Sequence, residues 1–495
     1  MKILSVLVTF LAVCIMSSPA AVASAVDGGS FASDAYSRRG LSVESVTTAP
    51  AKSLYSLQQE FVDMRLGMFI HFNIPTYVGD DWPDPDTPAS LFNPTRLDCD
   101  QWAEAAASAH ASFGCLTAKH HSGFCIWDTA TTDYSVASSP FDGDVVAMYA
   151  DAFRARGLKV ALYYSILDTH HDIRPGFVTP ESVDMIKAQL TELLTSYGPI
   201  AALFIDGWDT PWSRISYDEV PFEDIYRLVK SLQPECLVME LNAGKYPHDG
   251  LYYTDIKSYE QNAGQHVSTA TNVLPAVSSL PVNKSWFWKP DFPTSPVKSA
   301  ESLVRDNLLP LNEAYCVLLL NVAPNRDGLI DDNALEVFRE IGRLWDWPTG
   351  TLVLKETEAP IISENIAIGK RCNTSWAYDI HIADFLTDDD FTTRWQSHSS
   401  VAEPWAEVVF DRARPVNAIS IADSRASFTD YRVEYFADGR WRPVLNASGD
   451  VRKVKIRRFD RIWAEKVRVY VTPADKPVTV DEIGIYDERG DTGSF

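Results

Sequence analysis

The chain has 495 residues, 46% hydrophobic, 22% charged and 12% aromatic, a globular composition for three domains or fewer that excludes wholesale disorder. Its 44 Lys and Arg against 67 Asp and Glu give a net charge of −23, so nucleic acid and anionic membrane surfaces are poor partners. Beyond residue 25 no stretch is apolar and long enough for membrane insertion, and no repeat period is visible.

Met1-Lys2, an apolar run from Ile3 to Ile15 and the small-residue sites Ala21-Val22-Ala23 and Ala23-Ser24-Ala25 predict a signal peptide over 1–25, hence secretion. Residues 26–50, rich in Ser, Ala, Gly and Thr, read as a flexible leader. Secretion makes Asn283, Asn373 and Asn446, each in a sequon, expected glycan acceptors. Past Cys14 there are six cysteines, with no CxxC pair and no zinc spacing. Cys115 and Cys316 lie in apolar runs and read as buried free thiols.

Over 51–350, apolar runs alternate with helical patterns. The expected strands are Arg65–Phe72, Ser112–Ala118, Leu158–Ser165, Ile200–Asp206, Cys236–Glu240 and Tyr315–Asn321. Helical patterns fall at Asp100–Ala111, Gly143–Arg156, Thr179–Ser196 and Tyr217–Leu232. Apolar strands alternating with helices predict a parallel sheet covered on both faces, and this many units suit a (β/α)8-type barrel. Trp347-Pro348-Thr349-Gly350 marks the boundary. Over 360–490, short alternating runs such as Ala406–Phe410, Val416–Ala422, Tyr431–Phe436, Val467–Val471 and Glu482–Tyr486 predict an all-β sandwich.

Such a barrel keeps its chemistry at the carboxyl ends of its strands. There stand His71 and Asn73, Lys119-His120-His121, Tyr163-Tyr164-Ser165 with Asp168, His170 and His171 behind, Asp206-Gly207-Trp208-Asp209, and Glu240 and Asn242. Asp255, Glu260 and Trp286-Phe287-Trp288 follow. Taken singly, each has an ordinary structural explanation: a cap, a core histidine, a packing indole. Together they suit sugar chemistry, which uses paired carboxyls for the acetal, indoles for the ring face, and imidazoles for hydroxyls.

Four blocks in order, spanning about 260 residues, resemble the α-L-fucosidases of glycoside hydrolase family 29: Gly67–Phe72, Lys119–Val136 (KHHSGFCIWDTATTDYSV), Phe204–Gly207 and Leu319–Ile330 (LLNVAPNRDGLI). The resemblance implies a retaining exo-hydrolase that removes terminal α-L-fucose from glycans through a fucosyl-enzyme intermediate, with no required cofactor. It implies Asp206 as nucleophile, His71, His120, His121 and Tyr164 on the fucose hydroxyls, and Trp127 and Trp286 in the pocket. The chain departs from the family's pattern at Asn73 and Ser122. It departs again at Val277, which stands nine residues before Trp286, where many members carry the acid/base Glu. Valine transfers no proton. Glu260, in a polar loop on the same stretch, is the expected acid/base, with Glu240 second.

Asn365–Lys370, Leu386–Ser397 (LTDDDFTTRWQS), Trp405–Phe410 and Val467–Val471 resemble the discoidin/coagulation-factor C domain, whose jelly-roll fold carbohydrate-binding module family 32 shares. That resemblance implies a structural calcium at Asp388–Asp390. The expected function is a secreted α-L-fucosidase acting on fucosylated glycans. The rival readings are a glycan-binding protein without turnover and a retaining glycosidase on another sugar.

Overall fold

A computed structural model describes residues 51–241, 245–346, 350, 352–378, 380–472 and 476–489. The predicted signal peptide and leader lie outside the described residues, as do Asn242 and Trp347–Thr349.

Eight parallel strands form the first sheet: β1 (Leu66–Ile70), β2 (Phe113–Lys119), β3 (Lys159–Ser165), β4 (Ala202–Asp206), β5 (Leu237–Glu240), β6 (Lys257–Glu260), β7 (Ala276–Pro281) and β8 (Cys316–Val322). Their order, β5-β4-β3-β2-β1-β8-β7-β6, makes a nearly closed (β/α)8-type barrel whose one unpaired seam, among the described residues, lies between β5 and β6. Both faces of β1 to β5 and of β8 are largely apolar because both are covered. Alternate residues turn inward. Phe69, Cys115, Ala161, Tyr163, Phe204, Met239, Val277 and Leu319 fill the interior, capped by Leu54, Leu57 and Phe61 of the helix Leu54–Val62. Their neighbours Met68, Ile70, Leu116, Leu162, Tyr164, Leu203 and Ile205 pack outward in the larger core that contains the helices.

Local sequence sets the helix starts. The Asp98 carboxylate accepts from the Gln101 amide at 2.9 Å and opens Cys99–Ser108. Asp144 caps Val145–Ala155, and Thr179 and Ser182 form a capping box for Pro180–Ser196. The helix expected from Tyr217 begins at Phe222, after Pro221. Upstream, the Glu219 carboxylate accepts from the Ser216 amide and holds a turn instead. The pattern gave no sign of β6 and β7, whose sequences KSYE and AVSSLP are short and half polar.

The second unit of structure is antiparallel: β9 (Arg371–Thr374), β10 (Trp395–Gln396), β11 (Trp405–Ala422), β12 (Tyr431–Ala437), β13 (Arg440–Ala447), β14 (Val454–Val471), β15 (Thr479–Val480) and β16 (Glu482–Tyr486). The main sheet runs β13-β12-β14-β11-β16 with β9 on β11, and β10 pairs with β15. The expected runs Ala406–Phe410 and Val416–Ala422 join into one strand across an irregular register between Val409 and Arg414. The sandwich has its own core, including Trp395, Val408, Ile419, Val433 and Ile485. It is tied to the barrel by Ser363 Oγ on Glu223 at 2.7 Å and by Arg489 on Asp224 at 2.6 Å. Phe391 also packs on Tyr246. Cys99, Cys115, Cys125, Cys236, Cys316 and Cys372 are all buried and unpaired.

Candidate active site

The carboxyl ends of the barrel strands open into a cavity of about 230 Å³. His71, His120, His121, Asp206, Glu260 and Trp286 line it, together with Asp81, Trp82, Tyr163, Trp212, Ser279 and Phe287. Asp206 ends β4 on the inward parity of Ala202 and Phe204, and only 4% of it is exposed. Tyr163 donates its hydroxyl to Asp206 Oδ2 at 2.7 Å, and His121 Nε2 lies 3.6 Å from the same oxygen. Burial and the Asp206 charge hold the Tyr163 phenol well above its usual range, so it stays a donor.

Glu260 ends β6 in register with Ser279 of β7, which also faces the cavity. The Trp286 indole N–H donates to Glu260 Oε1 at 3.1 Å. Burial and the Asp206 charge push the Glu260 carboxyl up to about 7, whereas a solvated carboxyl ionises near 4.5. The site therefore holds two carboxyls of different character, one bonded by a phenol and one that keeps its proton close to neutrality.

The imidazoles are held neutral. His71 Nδ1 meets Asn321 Oδ1 at 2.7 Å, and Asn321 Nδ2 donates to the Trp286 carbonyl. The amide oxygen is thus the acceptor, His71 carries its proton on Nδ1, and Nε2 keeps a lone pair. Burial, with the neighbouring His121, takes His71 down to about 3. Burial likewise lowers His120 well below its usual value, and its Nδ1 has no hydrogen-bond partner among the described residues. His121 Nδ1 bonds Ser165 Oγ at 2.8 Å, and that hydroxyl donates onward to the Leu167 carbonyl. Neutral rings at fixed orientation offer acceptors to hydroxyls without attracting anions. Trp82 stacks on His121 at 4.8 Å and is 47% exposed, placing an indole at the mouth.

Two expected site residues lie elsewhere. Tyr164 faces outward: its hydroxyl donates to Gln189 Oε1 at 2.6 Å, and Lys119 Nζ sits 4.5 Å from its ring centroid. It pairs in register with Ile205, also outward, so the inward tyrosine is Tyr163, one residue earlier. Trp127 is buried in the helix-side core, with its indole N–H on Glu192 at 2.9 Å. The chain turns back after β2, at the Lys119–Cys125 bridge, and carries Trp127 away from the axis. Glu240, the second choice for the acid/base, is buried in register with Ile205 and does not line the cavity. Asp168 is buried on Lys119 and His171. Asp81, Trp82 and Trp212 come from loops with no periodicity, and the sequence offered no signal for them; Tyr163 is told from its neighbour Tyr164 by the register of β3 on β4.

Tyr163 and Tyr164 give a direct test of this parity. Tyr163→Phe removes a hydrogen bond to a carboxylate, a loss of about 1.5–3 kcal/mol, and kcat should fall roughly 10- to 100-fold. Tyr164→Phe should cost about 1 kcal/mol of stability and leave kcat near wild type. Steady-state kinetics and thermal melts of the two variants check it.

A (β/α)8-type barrel with two unlike carboxyls among neutral imidazoles and indoles at its carboxyl end defines a glycoside hydrolase. The α-L-fucosidase family model matches residues 81–347, and the F5/8 type C domain model matches 371–483. Alpha-L-fucosidase 1 of Arabidopsis thaliana is 26% identical over 478 residues, covering 89% of this chain and 88% of that protein. Human tissue alpha-L-fucosidase is 25% identical over 264 residues, covering 50% and 52% respectively. The solved alpha-L-fucosidase isoenzyme 1 from Paenibacillus thiaminolyticus shares the fold at a TM-score of 0.51 and 22% identity, covering 88% of this chain and 100% of that one. The chain belongs to the α-L-fucosidase family, glycoside hydrolase family 29, and carries an F5/8 type C domain at its C-terminal end.

Proposed function

We propose that the protein is a secreted, exo-acting, retaining α-L-fucosidase that removes terminal α-L-fucose from glycans. One observation carries this reading: Asp206 and Glu260 face one cavity, and Glu260 holds its proton to about 7. In the first half-reaction an Asp206 oxygen bonds to C1 while the C1–O bond to the aglycone breaks. Glu260 passes its proton to the departing oxygen. In the second half-reaction Glu260, now ionised, takes a proton from water, which attacks C1 and releases Asp206. His71, His120 and His121 present neutral nitrogens to the fucose hydroxyls, and Trp286 both borders the ring and orients Glu260. A cavity of about 230 Å³ is the scale of one monosaccharide, which favours removal of a terminal residue over cleavage within a chain.

Hydrolysis of 4-nitrophenyl α-L-fucoside in aqueous methanol, followed by NMR, tests the stereochemistry. The first-formed products should be α-L-fucose and methyl α-L-fucoside; β-products overturn the retaining mechanism. The rival without turnover rests on Val277, which lies in the barrel interior on β7, while Glu260 supplies a carboxyl from β6. Secretion remains part of the proposal; N-terminal sequencing of protein from the medium, with a start just after Ala23 or Ala25, checks it. No helix among the described residues is long and apolar enough to cross a membrane.

The F5/8 type C resemblance also implies a calcium ion. Among the described residues no three His, Cys, Asp or Glu side chains converge as a metal cluster, and Lys245 engages Asp389. Yet Glu482 is buried with no hydrogen-bond partner on either carboxyl oxygen among the described residues, and burial with the charges of Asp388 and Asp389 pushes it up to about 9. Asp388 accepts from the Thr393 hydroxyl and from the Asp390 amide. Asp388 and Glu482 would be the residues to offer oxygens to such a hard cation. Adding a chelator should lower the melting temperature by several degrees, calcium should restore it, and Glu482→Gln should abolish the difference.

A further inference from the structure

The loop after β4 is built as a closed unit. Gly207 adopts a φ of +116°, and a Cβ there would meet Ile166 Cγ1 at 2.8 Å, so the chain turns sharply directly after Asp206. Trp208 anchors the turn, its indole N–H on the Val220 carbonyl at 2.7 Å. The Asp209 amide donates to the Ile215 carbonyl at 2.9 Å, and the amides of Ser213 and Arg214 return to the Thr210 carbonyl. At the tip Trp212 lines the cavity, and its buried indole N–H has no hydrogen-bond partner among the described residues. A bound sugar hydroxyl would satisfy it.

The carboxylate at the base of this loop is held from outside. Lys245 Nζ contacts Asp209, and it lies 3.1 Å from Asp389 Oδ2 in the acidic turn of the sandwich. The same ammonium sits 5.0 Å from the Tyr246 ring centroid, and Tyr246 packs against Phe391, two residues past Asp389. Two carboxylates from different domains thus share one cation backed by an aromatic wall. All three side chains are about one-third exposed, so the contact adds little to global stability. Its place, three residues from Asp206 and at the foot of the Trp212 loop, gives it a different use.

We propose that the sandwich is a working part of the sugar pocket: through Lys245, Asp389 holds the 207–215 loop in the position that presents Trp212 to the substrate. Lys245 is then a positioning residue for binding. The inference rests on reading the cavity as the fucose site.

The test uses full-length Lys245→Met, Asp389→Asn, the double variant and Lys245→Arg. On 4-nitrophenyl α-L-fucoside each of the first two should raise KM, and the Ki of L-fucose, roughly 3- to 10-fold, with kcat within about twofold. The double variant should match the worse single one, and Lys245→Arg should stay near wild type. Melting temperatures without added calcium should stay close to wild type, because the pair is about one-third exposed. Hydrogen exchange of 207–215 should quicken in Asp389→Asn, and Asp389→Asn should add nothing once Lys245 is Met. Wild-type KM and unchanged exchange in the single variants overturn the proposal, as do effects that multiply in the double variant. If wild type neither cleaves the fucoside nor binds fucose, the fucosidase reading fails instead, and the exchange data alone decide the coupling.

Discussion

Asp206→Asn should lower turnover of an aryl α-L-fucoside by roughly 10⁴-fold or more, the scale seen when a nucleophile is removed from an enzyme that works through a covalent intermediate. The amide keeps the size of the side chain and can still meet the Tyr163 hydroxyl, so the fold and fucose binding should survive. Asp206→Gly opens space beside C1, and added azide should attack there to give β-L-fucosyl azide, detectable by mass and NMR. A second effect follows from the charge. Asp206 is one of the two causes that raise Glu260 to about 7. Neutralising position 206 should therefore lower the Glu260 value, which a carboxyl-selective NMR titration reads. In the proposed mechanism the same fall would accompany esterification of Asp206 by the sugar, and would convert Glu260 from acid to base between the half-reactions. Wild-type-like turnover by Asp206→Ala, or α-L-fucosyl azide from Asp206→Gly, ends the assignment.

Glu260→Ala should separate substrates by leaving group. For a glycan, whose departing alkoxide needs a proton, the loss should be about 10²–10⁴-fold; a 2,4-dinitrophenyl fucoside, which departs unaided, should retain much of its rate of fucosylation. The pH profile carries the sign. As the proposed general acid Glu260 would act protonated; its value is raised to about 7, so kcat/KM of the wild type should fall as pH rises through that value. In Glu260→Ala that alkaline limb should vanish, and azide should accelerate turnover to α-L-fucosyl azide. Glu240→Ala should show none of these effects, because Glu240 lies outside the cavity. Should the pattern appear in Glu240→Ala instead, the acid/base role and the strand parity both fail.

Short-range pattern carried much of this protein. The alternation of apolar runs with capped helices specified a parallel barrel, because strands buried on both faces are apolar throughout and helices announce their first turn with Asp or Thr. Alternating runs after residue 360 specified the sandwich for the complementary reason. Asp206, His71, His120, His121, Glu260 and Trp286 could be singled out because they follow apolar segments, or lie in motifs, at one end of the barrel. What the sequence could not decide is which way each side chain faces. Tyr163 and Tyr164 are adjacent and alike, and only the pairing of Tyr164 with Ile205 and Tyr163 with Phe204 turns one inward. The same register sets Glu240 beside Ile205 and Glu260 beside Ser279, which separates two carboxylates that both end strands. Trp82, Asp81 and Trp212 reach the cavity from loops, where no period exists to read. Side-chain direction in a barrel reverses with every residue, and the register that chooses between the two faces is fixed by partners distant in the chain. Identity and strand-end position are therefore local information, while facing, and with it the membership of the site, belongs to the closed sheet.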